Sequence, residues 1–185
     1  MFRFTAIPLL FATALQAQAG GSQAPAQPTL SDPEIAHVAV TANGIDIDAG
    51  KFALTRTHNA AVKQFAQTMI NDHTAVNQQA AALAQKLNVT PQDNAVSQSL
   101  KKDADAAHEK LEKRRGAAFD RAYMDREIAY HQAVLDAIDK VLIPESQNAE
   151  LKSLLQNVRP AIATHLDHAK EVRAKLGRRA RKTAR

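Results

Sequence analysis

Apolar residues recur in steps of three and four along much of the chain, a pattern that keeps one face of a helix turned toward a partner. No run of β-branched residues alternates with a period of two, so the pattern predicts helices and no strands. Three predicted helices carry one histidine in the middle of their apolar stripe. These stripes are Val62, Ala66, Met69, His73, Val76, Ala80, Leu83 and Leu87; Met124, Ile128, His131, Leu135, Ile138 and Leu142; and Leu151, Leu155, Val158, Ile162, His165, Ala169, Val172 and Leu176.

Capping residues, glycine and proline divide the chain into five predicted helices. Ser31, with Glu34 three residues later, is typical of a helix start, and Gly116 and Pro144 mark two breaks. Pro160 lies inside the last helix, where the apolar stripe continues in phase, so we expect a bend there and not a break. The predicted helices cover about 32–55, 59–88, 94–115, 118–142 and 147–176.

The connections between these helices are short, so successive helices should lie antiparallel. The expected fold is all-α, an antiparallel four-helix bundle with an additional shorter helix. A chain of this length can bury one core, so residues 31–176 are expected to form one domain. The alternative is a partly open helical hairpin that completes its core by forming a homodimer.

The start of the chain has the form of a secretory signal peptide. Arg3 precedes an apolar run at 4–15, which is followed by the small residues of a cleavage site. We therefore expect residues 1–19 to be removed before Gly20 and the mature protein to be periplasmic or secreted. Residues 20–30 are uncharged and contain Gly, Gln and Pro, and they are predicted to form a flexible linker. The sequence has no cysteine, which excludes disulfides and thiolate metal ligands.

The formal net charge of +5 comes from one end of the chain. Residues 173–185 contain seven Lys or Arg and no acidic residue. A nucleic-acid-binding domain would carry its basic patch on the folded body, so no nucleic acid is expected as a partner. Residues 177–185 are predicted to form a disordered basic tail, whose charge would attract an anionic membrane or envelope polymer.

The histidines in the stripes are candidate metal ligands. Reflecting residue numbers about each predicted loop aligns the helices crudely, and it places His73 and His165 in one layer with Asp46 and Glu127 within about a turn. Imidazoles and carboxylates that project inward from facing helices bind Zn, Mn, Fe or Cu. The same alignment places His131 roughly 10 Å farther along the bundle axis, which favours a structural role or a second site for that residue.

Other interpretations of these residues stay open at this point. A histidine in an apolar stripe is more often a core residue that is hydrogen-bonded to a carboxylate or carbonyl. The di-iron signature, a Glu-x-x-His motif repeated on two helices, is absent, and Glu127 and His131 are four residues apart. No nucleophile elbow, phosphate-binding loop or His-Glu-x-x-His motif occurs either. No catalytic residue is therefore predicted, and a non-enzymatic protein is favoured.

Four separate blocks of sequence carry a resemblance to a known family. They are Phe65-Ala66-Gln67-Thr68-Met69-Ile70-Asn71-Asp72-His73-Thr74, Ala118-Phe119-Asp120-Arg121-Ala122-Tyr123, His131, and Pro160 with His165. In this order and spacing they resemble the bacterial family called domain of unknown function 4142, over about residues 32–176. The resemblance implies an exported protein with a ferritin-like helical bundle and recurring histidines at His73, His131 and His165. The family often has glutamate where this chain has Asp46.

The sequence therefore leads us to expect an exported, non-enzymatic helical-bundle protein with a binding or envelope-stress role. One alternative is a metal-binding ferritin-like protein that uses inward histidines and carboxylates. A second alternative is an envelope-associated adaptor that is held at the membrane by its basic tail.

Overall fold

The computed structural model describes residues 29–183, with side chains up to residue 177, and contains only helices in that range. The predicted signal peptide and cleavage site lie outside the described residues, as does most of the predicted linker. The all-α prediction is confirmed. The helices are α1 (Asp32–Arg56), α2 (Ala60–Leu87), α3 (Ala95–Glu112), α4 (Gly116–Ala137), a π-helical segment (Ile138–Leu142), α5 (Ile143–Glu145) and α6 (Ala149–Thr183).

Local capping chemistry explains where the helices begin and end. The Glu34 carboxylate accepts hydrogen bonds from the backbone N–H and the hydroxyl of Ser31 at the start of α1. The Asn59 side chain accepts from two backbone N–H groups at the start of α2. Asn88 ends that helix in the left-handed conformation, with a φ of 51°. These caps lie where the sequence predicted them.

Four helices form the bundle, in the spatial order α1, α2, α6, α4 around a ring. Each is antiparallel to its two neighbours, and α3 packs outside the ring alongside α1. Polar contacts between neighbours fix this order: Asn43 with Asn77, Lys86 with Glu150, Arg173 with Asp125, and Thr57 with Asp120. None of the helices within residues 29–183 combines the length and apolar character needed to cross a membrane.

The interior consists of two apolar clusters with a band of polar side chains between them. We call the first the aromatic cluster; it contains Ala53, Val62, Phe65, Ala66, Met69, Leu111, Phe119, Tyr123, Met124, Ala169, Val172 and Leu176. We call the second the aliphatic cluster; it contains Ile35, Val38, Leu135, Ile138, Leu142, Leu151, Leu155, Ile162 and Leu166. The band between them, which we call the polar layer, consists of Asp46, His73, Glu127, His131 and His165.

Helix α6 differs from its predicted form at its end. It continues through Pro160 without interruption, as the unbroken apolar stripe indicated, but it extends to Thr183 and does not end near Leu176. Much of the backbone that was predicted to be a disordered tail is therefore helical. The predicted attraction of this basic end to an anionic surface stays a prediction.

Candidate metal centre

The polar layer draws one or two side chains from each helix of the ring. Asp46 comes from α1, His73 from α2, Glu127 and His131 from α4, and His165 from α6. Each has 5% or less of its surface exposed. Charged and titratable groups are rarely buried to this degree unless they are paired or bind a metal. This layer is therefore the strongest candidate for a functional site in residues 29–183.

The three imidazoles form one cluster. Ring centroids are 5.2 Å apart for His73 and His165, 5.7 Å for His73 and His131, and 5.5 Å for His131 and His165. The prediction that His73 and His165 share a layer thus agrees with the structure. The prediction that His131 lies about two turns farther along the bundle axis is wrong, whereas its predicted role as a structural residue or part of a second site is not tested by this position.

The connection between α2 and α3 explains this error. Residues 88–94 run back along the start of α1, where the Gln92 N–H donates to the Pro33 carbonyl and the Asn94 side chain donates to the Glu34 carbonyl. The alignment treated this connection as a sharp turn and therefore misplaced α4 along the axis. In the structure, His131 lies level with Asp46, with 3.7 Å between His131 Nε2 and Asp46 Oδ2.

One nitrogen of each imidazole makes a hydrogen bond to an oxygen atom. His73 Nδ1 lies 2.7 Å from Asn43 Oδ1, whose amide nitrogen is engaged with Asn77. His131 Nδ1 lies 2.9 Å from the backbone oxygen of Glu127. His165 Nε2 lies 2.9 Å from a carboxylate oxygen of Asp72. Each of these oxygens is an acceptor, so in a neutral ring the bonded nitrogen carries the hydrogen.

The other nitrogen of each ring then presents a lone pair. His73 Nε2, His131 Nε2 and His165 Nδ1 are buried and have no hydrogen-bond partner. One ligand atom from each of the three rings can be chosen so that all lie within 4.8 Å of one another. Metal-binding histidines commonly donate their second ring N–H to a carbonyl or carboxylate. All three histidines here follow that arrangement.

Burial keeps two of these rings neutral near pH 7. Burial lowers the pKa of His131 to about 4, although the neighbouring Asp46 opposes that shift. Burial also lowers the pKa of His165, although the hydrogen bond that its Nε2 donates to Asp72 opposes that shift. A neutral imidazole is the form that binds a metal ion.

Asp46 adds an oxygen atom to this set. Its Oδ2 lies 3.0 Å from His73 Nε2, within ion-pair distance, and neither atom makes a well-aligned hydrogen bond. Burial alone would raise the pKa of Asp46, but His73, His131 and Arg126 together hold that pKa below its usual value. A carboxylate oxygen thus lies close to an imidazole nitrogen, and a cation bound to both atoms would stabilise this arrangement.

The separations around Asp46 suit a small metal ion. A tetrahedral zinc site with metal–ligand bonds of 2.0–2.1 Å places its ligand atoms roughly 3.3 Å apart. The distances from Asp46 Oδ2 to His73 Nε2 and His131 Nε2 are 3.0 and 3.7 Å. With His165 Nδ1 as the fourth donor, three nitrogens and one oxygen would complete a tetrahedral set.

Glu127 lies near the second carboxylate oxygen of Asp46, Oδ1, and the side chain of Arg126 contacts both carboxylates there. Arg126 Nη1 is 2.8 Å from Asp46 Oδ1 and 2.7 Å from Glu127 Oε1. Burial raises the pKa of Glu127 well above its usual value, and the Asp46 charge adds to that shift. Glu127 therefore belongs to the layer, as predicted; its Oε1 contacts Arg126, and its Oε2 lies 3.6 Å from His131 Nδ1.

Sequence reasoning missed three residues that support the layer. Asn43 and Asp72 orient His73 and His165, and Arg126 contacts both buried carboxylates. Asn43 lies three residues before Asp46, and Asp72 lies directly before His73. Nothing in this spacing indicates that Asn43 contacts His73, or that Asp72 contacts His165, on a different helix. Arg126 sits beside Glu127, and a basic residue next to an inward acid was the only available signal.

Other features of the described residues are not part of this site. His37 contacts Asp93 near the start of α3, and His108 packs on Phe52. An apolar cavity of about 120 Å³ lies in the aliphatic half of the bundle. Its lining includes Asn43 but none of the three clustered histidines.

The fold and site define an all-α bundle protein with a buried histidine and carboxylate layer. A family model described as "Domain of unknown function (DUF4142)" matches residues 17–172. The chain therefore belongs to that family, and the resemblance seen in the sequence is confirmed. A comparison with curated proteins finds no match.

The fold is also similar to a solved structure titled "CopM in the Cu(II)-bound form". The TM-score is 0.59 with 15% sequence identity, and the match covers 80% of this chain and 99% of that chain. At this identity the likeness supports the helical-bundle fold alone.

Proposed function

We propose that this protein binds one transition-metal ion in the polar layer, through His73 Nε2, His131 Nε2, His165 Nδ1 and Asp46 Oδ2. The observation that carries the proposal is a set of four buried atoms without hydrogen-bond partners, on three histidines that offer ligand atoms within 4.8 Å of one another and on Asp46, whose Oδ2 lies 3.0 Å from His73 Nε2 and 3.7 Å from His131 Nε2. Leaving buried polar atoms unpaired costs about 1–3 kcal/mol each. A bound metal ion would remove that cost for all four atoms at once.

The donor set narrows the choice of metal. Three imidazoles and one carboxylate suit Zn²⁺ and Cu²⁺ better than Mg²⁺ or Ca²⁺, which prefer oxygen ligands. The similar structure is titled as a Cu(II)-bound form, so Cu²⁺ belongs in the first test beside Zn²⁺. Iron and manganese are the further candidates.

The proposed site is better suited to binding a metal ion than to catalysis. Four protein ligands close a tetrahedral shell, whereas catalytic zinc sites keep one position for water or substrate. The four proposed ligands are 5% exposed or less, which leaves little room for a substrate. We therefore propose that the protein holds a metal ion in the cell envelope. The export signal expected from the sequence would direct it to that compartment.

Elemental analysis of protein purified without a histidine tag tests this proposal. We expect about one equivalent of Zn²⁺ or Cu²⁺ after loading and dialysis, together with a higher melting temperature, because a ligand that binds only the folded state stabilises it. His73→Ala, His131→Ala, His165→Ala and Asp46→Asn should each reduce the bound metal strongly. His108→Ala is the matched control, since His108 is half-exposed on α3 and outside the layer.

Two results would contradict metal binding in the layer. One is less than about a tenth of an equivalent of any transition metal with no thermal stabilisation. The other is metal uptake that survives the layer substitutions but is lost in the His108→Ala control.

A further inference from the structure

Arg126 connects the two buried carboxylates through a single atom. Its Nη1 lies 2.8 Å from Asp46 Oδ1 and 2.7 Å from Glu127 Oε1. Both carboxylates are completely buried. A positive centre between two carboxylate oxygens is the arrangement that a bridging metal ion also adopts. The guanidinium group of Arg126 therefore occupies the position that a metal ion would take between these two carboxylates.

More buried oxygen atoms surround this position than Arg126 forms hydrogen bonds with. Glu127 Oε2 and the Tyr123 hydroxyl are buried and have no hydrogen-bond partner. Tyr123 precedes Glu127 by one helical turn on α4, so both side chains lie on the same face of that helix. One ligand atom each from Asp46, Glu127 and His131 can be chosen within 4.8 Å of one another. Because His131 Nε2 is assigned to the first ion and His131 Nδ1 is bonded to the Glu127 backbone oxygen, the oxygens of Asp46, Glu127 and Tyr123 are the groups that would be available to a second ion.

We infer that Arg126 acts as a built-in cation that keeps a second metal position closed, and that it thereby limits the layer to one ion. This inference rests on the proposed function, because the first ion and Arg126 share the two oxygens of Asp46. The second position would be formed mainly by oxygen atoms. Such a set prefers a hard divalent cation such as Mn²⁺ over Cu²⁺ or Zn²⁺.

Arg126 also lies between the layer and a surface groove. The groove is formed by α1, α3 and α4, and its lining includes Asp48, Asp105, His108 and Arg126. The Arg126 side chain is 12% exposed, and its guanidinium lies 4.3 Å from the centre of the Tyr130 ring. Removing the guanidinium would open the carboxylate side of the layer toward this groove, which provides a route for a second ion.

The test compares metal stoichiometry in the full-length protein and in Arg126→Met. Each protein is loaded with Zn²⁺, dialysed, exposed to Mn²⁺ and dialysed again, and both metals are measured by elemental analysis. We expect one Zn²⁺ and no retained Mn²⁺ in the wild type. Arg126→Met should retain about one additional Mn²⁺, with an electron paramagnetic resonance spectrum that differs from that of the hydrated ion.

Three further variants control the result. Arg126→Lys keeps a positive charge and should retain no Mn²⁺. Arg126→Met combined with Glu127→Gln removes a carboxylate and should also lose the second ion. Arg126→Gln, which keeps a polar side chain, is the substitute if circular dichroism shows that Arg126→Met does not fold.

The outcomes separate this inference from the proposed function. A wild type without Zn²⁺ contradicts the proposed function, whatever the variants bind. A wild type with one Zn²⁺ and an Arg126→Met protein that retains no Mn²⁺ overturns the inference and leaves the proposed function in place. Equal Mn²⁺ retention in wild type and Arg126→Met also overturns it, because Arg126 would then exclude nothing.

Discussion

The aromatic cluster and the polar layer are neighbours on the same helices, and they are built in opposite ways. Phe65, Phe119 and Tyr123 are fully buried and pack edge to face or stacked, with ring centroids 6.2–6.3 Å apart. The polar layer is equally buried, yet all five of its side chains leave a buried nitrogen or oxygen atom without a hydrogen-bond partner. Apolar burial stabilises the fold directly, whereas unpaired polar burial opposes it.

The aromatic cluster therefore contributes to the stability of the fold, whereas the unpaired polar groups of the layer lower that stability. A bundle of this kind could fill the middle of its core with leucine and gain stability, since buried ion pairs are often no better than well-packed apolar residues. The metal binding that we propose would account for three histidines and two carboxylates at this position. Substitutions in the two regions should separate stability from metal binding.

The largest effect on stability is expected in the aromatic cluster. Phe65→Ala removes a fully buried ring that packs against Tyr123, His168 and the layer residue His131, and it should lower the free energy of unfolding by about 3–5 kcal/mol. Urea unfolding of the metal-free protein measures this loss. Metal stoichiometry at a temperature where the variant is folded should stay at the wild-type value; a variant that loses its metal while still folded would show that the two regions are not separable.

The converse result is expected for His131→Phe in the polar layer. The ring is replaced by an apolar ring of similar size in a site that is 1% exposed, so the metal-free stability should change by no more than about 1 kcal/mol. The stabilisation by metal, about 3 kcal/mol at one hundred times the dissociation constant, should disappear. Thermal melts with and without Zn²⁺ measure both quantities, and a full metal-dependent shift in the variant would exclude His131 as a ligand.

The pH dependence of stability should also differ between the regions. The pKa of His131 is about 4 in the folded protein, against 6.5 for an unperturbed histidine, so the unfolded state binds more protons between these two pH values. Stability from this group is fully present above about pH 6.5 and is lost as the pH falls toward 4, by at most about 3 kcal/mol. Urea unfolding in the presence of a chelator, at pH 7 and pH 5, measures the change.

His131→Phe serves as the control for that pH series. The raised pKa of Glu127 works in the opposite direction, but Glu127 is present in both proteins. The difference between wild type and variant therefore reports mainly on His131. Equal slopes in the two proteins would mean that His131 does not stay neutral in the folded state.

The smallest effects are expected for two glycines of α1. A Cβ at Gly50 would lie 3.0 Å from the Ala66 carbonyl oxygen and 3.0 Å from Ile70 Cγ1, whereas a Cβ at Gly44 would meet nothing within 4 Å. Gly50→Ala should therefore destabilise by about 1–2 kcal/mol, and Gly44→Ala should stabilise by roughly 0.5–1 kcal/mol. Paired urea unfolding curves test both, and a stabilising Gly50→Ala would show that α1 and α2 can move apart there without cost.

The sequence predicted the helices because their signals are local. The capping residues Ser31, Asn59 and Asn94, and the periodic apolar stripes, act within a few residues along the chain. The inward position of His73, His131 and His165 could be predicted in the same way, from their places in those stripes. The π-helical segment Ile138–Leu142 had no such signal and was not predicted.

The height of each side chain along the bundle was less predictable. It depends on the lengths and paths of all the connections that precede it, so an error at residues 88–94 displaced His131 from the layer where the structure places it. Pairings such as Asp72 with His165, or Arg126 with Asp46, join residues far apart in sequence and follow only from the assembled bundle.

The sequence by itself determined the helices, the inward faces and the residue types that are buried, because each of these depends on short-range periodicity and on hydrophobicity. Only the tertiary structure decided that three histidines and Asp46 meet at one level, that each imidazole has one buried nitrogen without a hydrogen-bond partner, and that Arg126 joins the two carboxylates. Those features depend on helix register and on contacts across helices, which are fixed when the whole bundle packs and which no local pattern specifies.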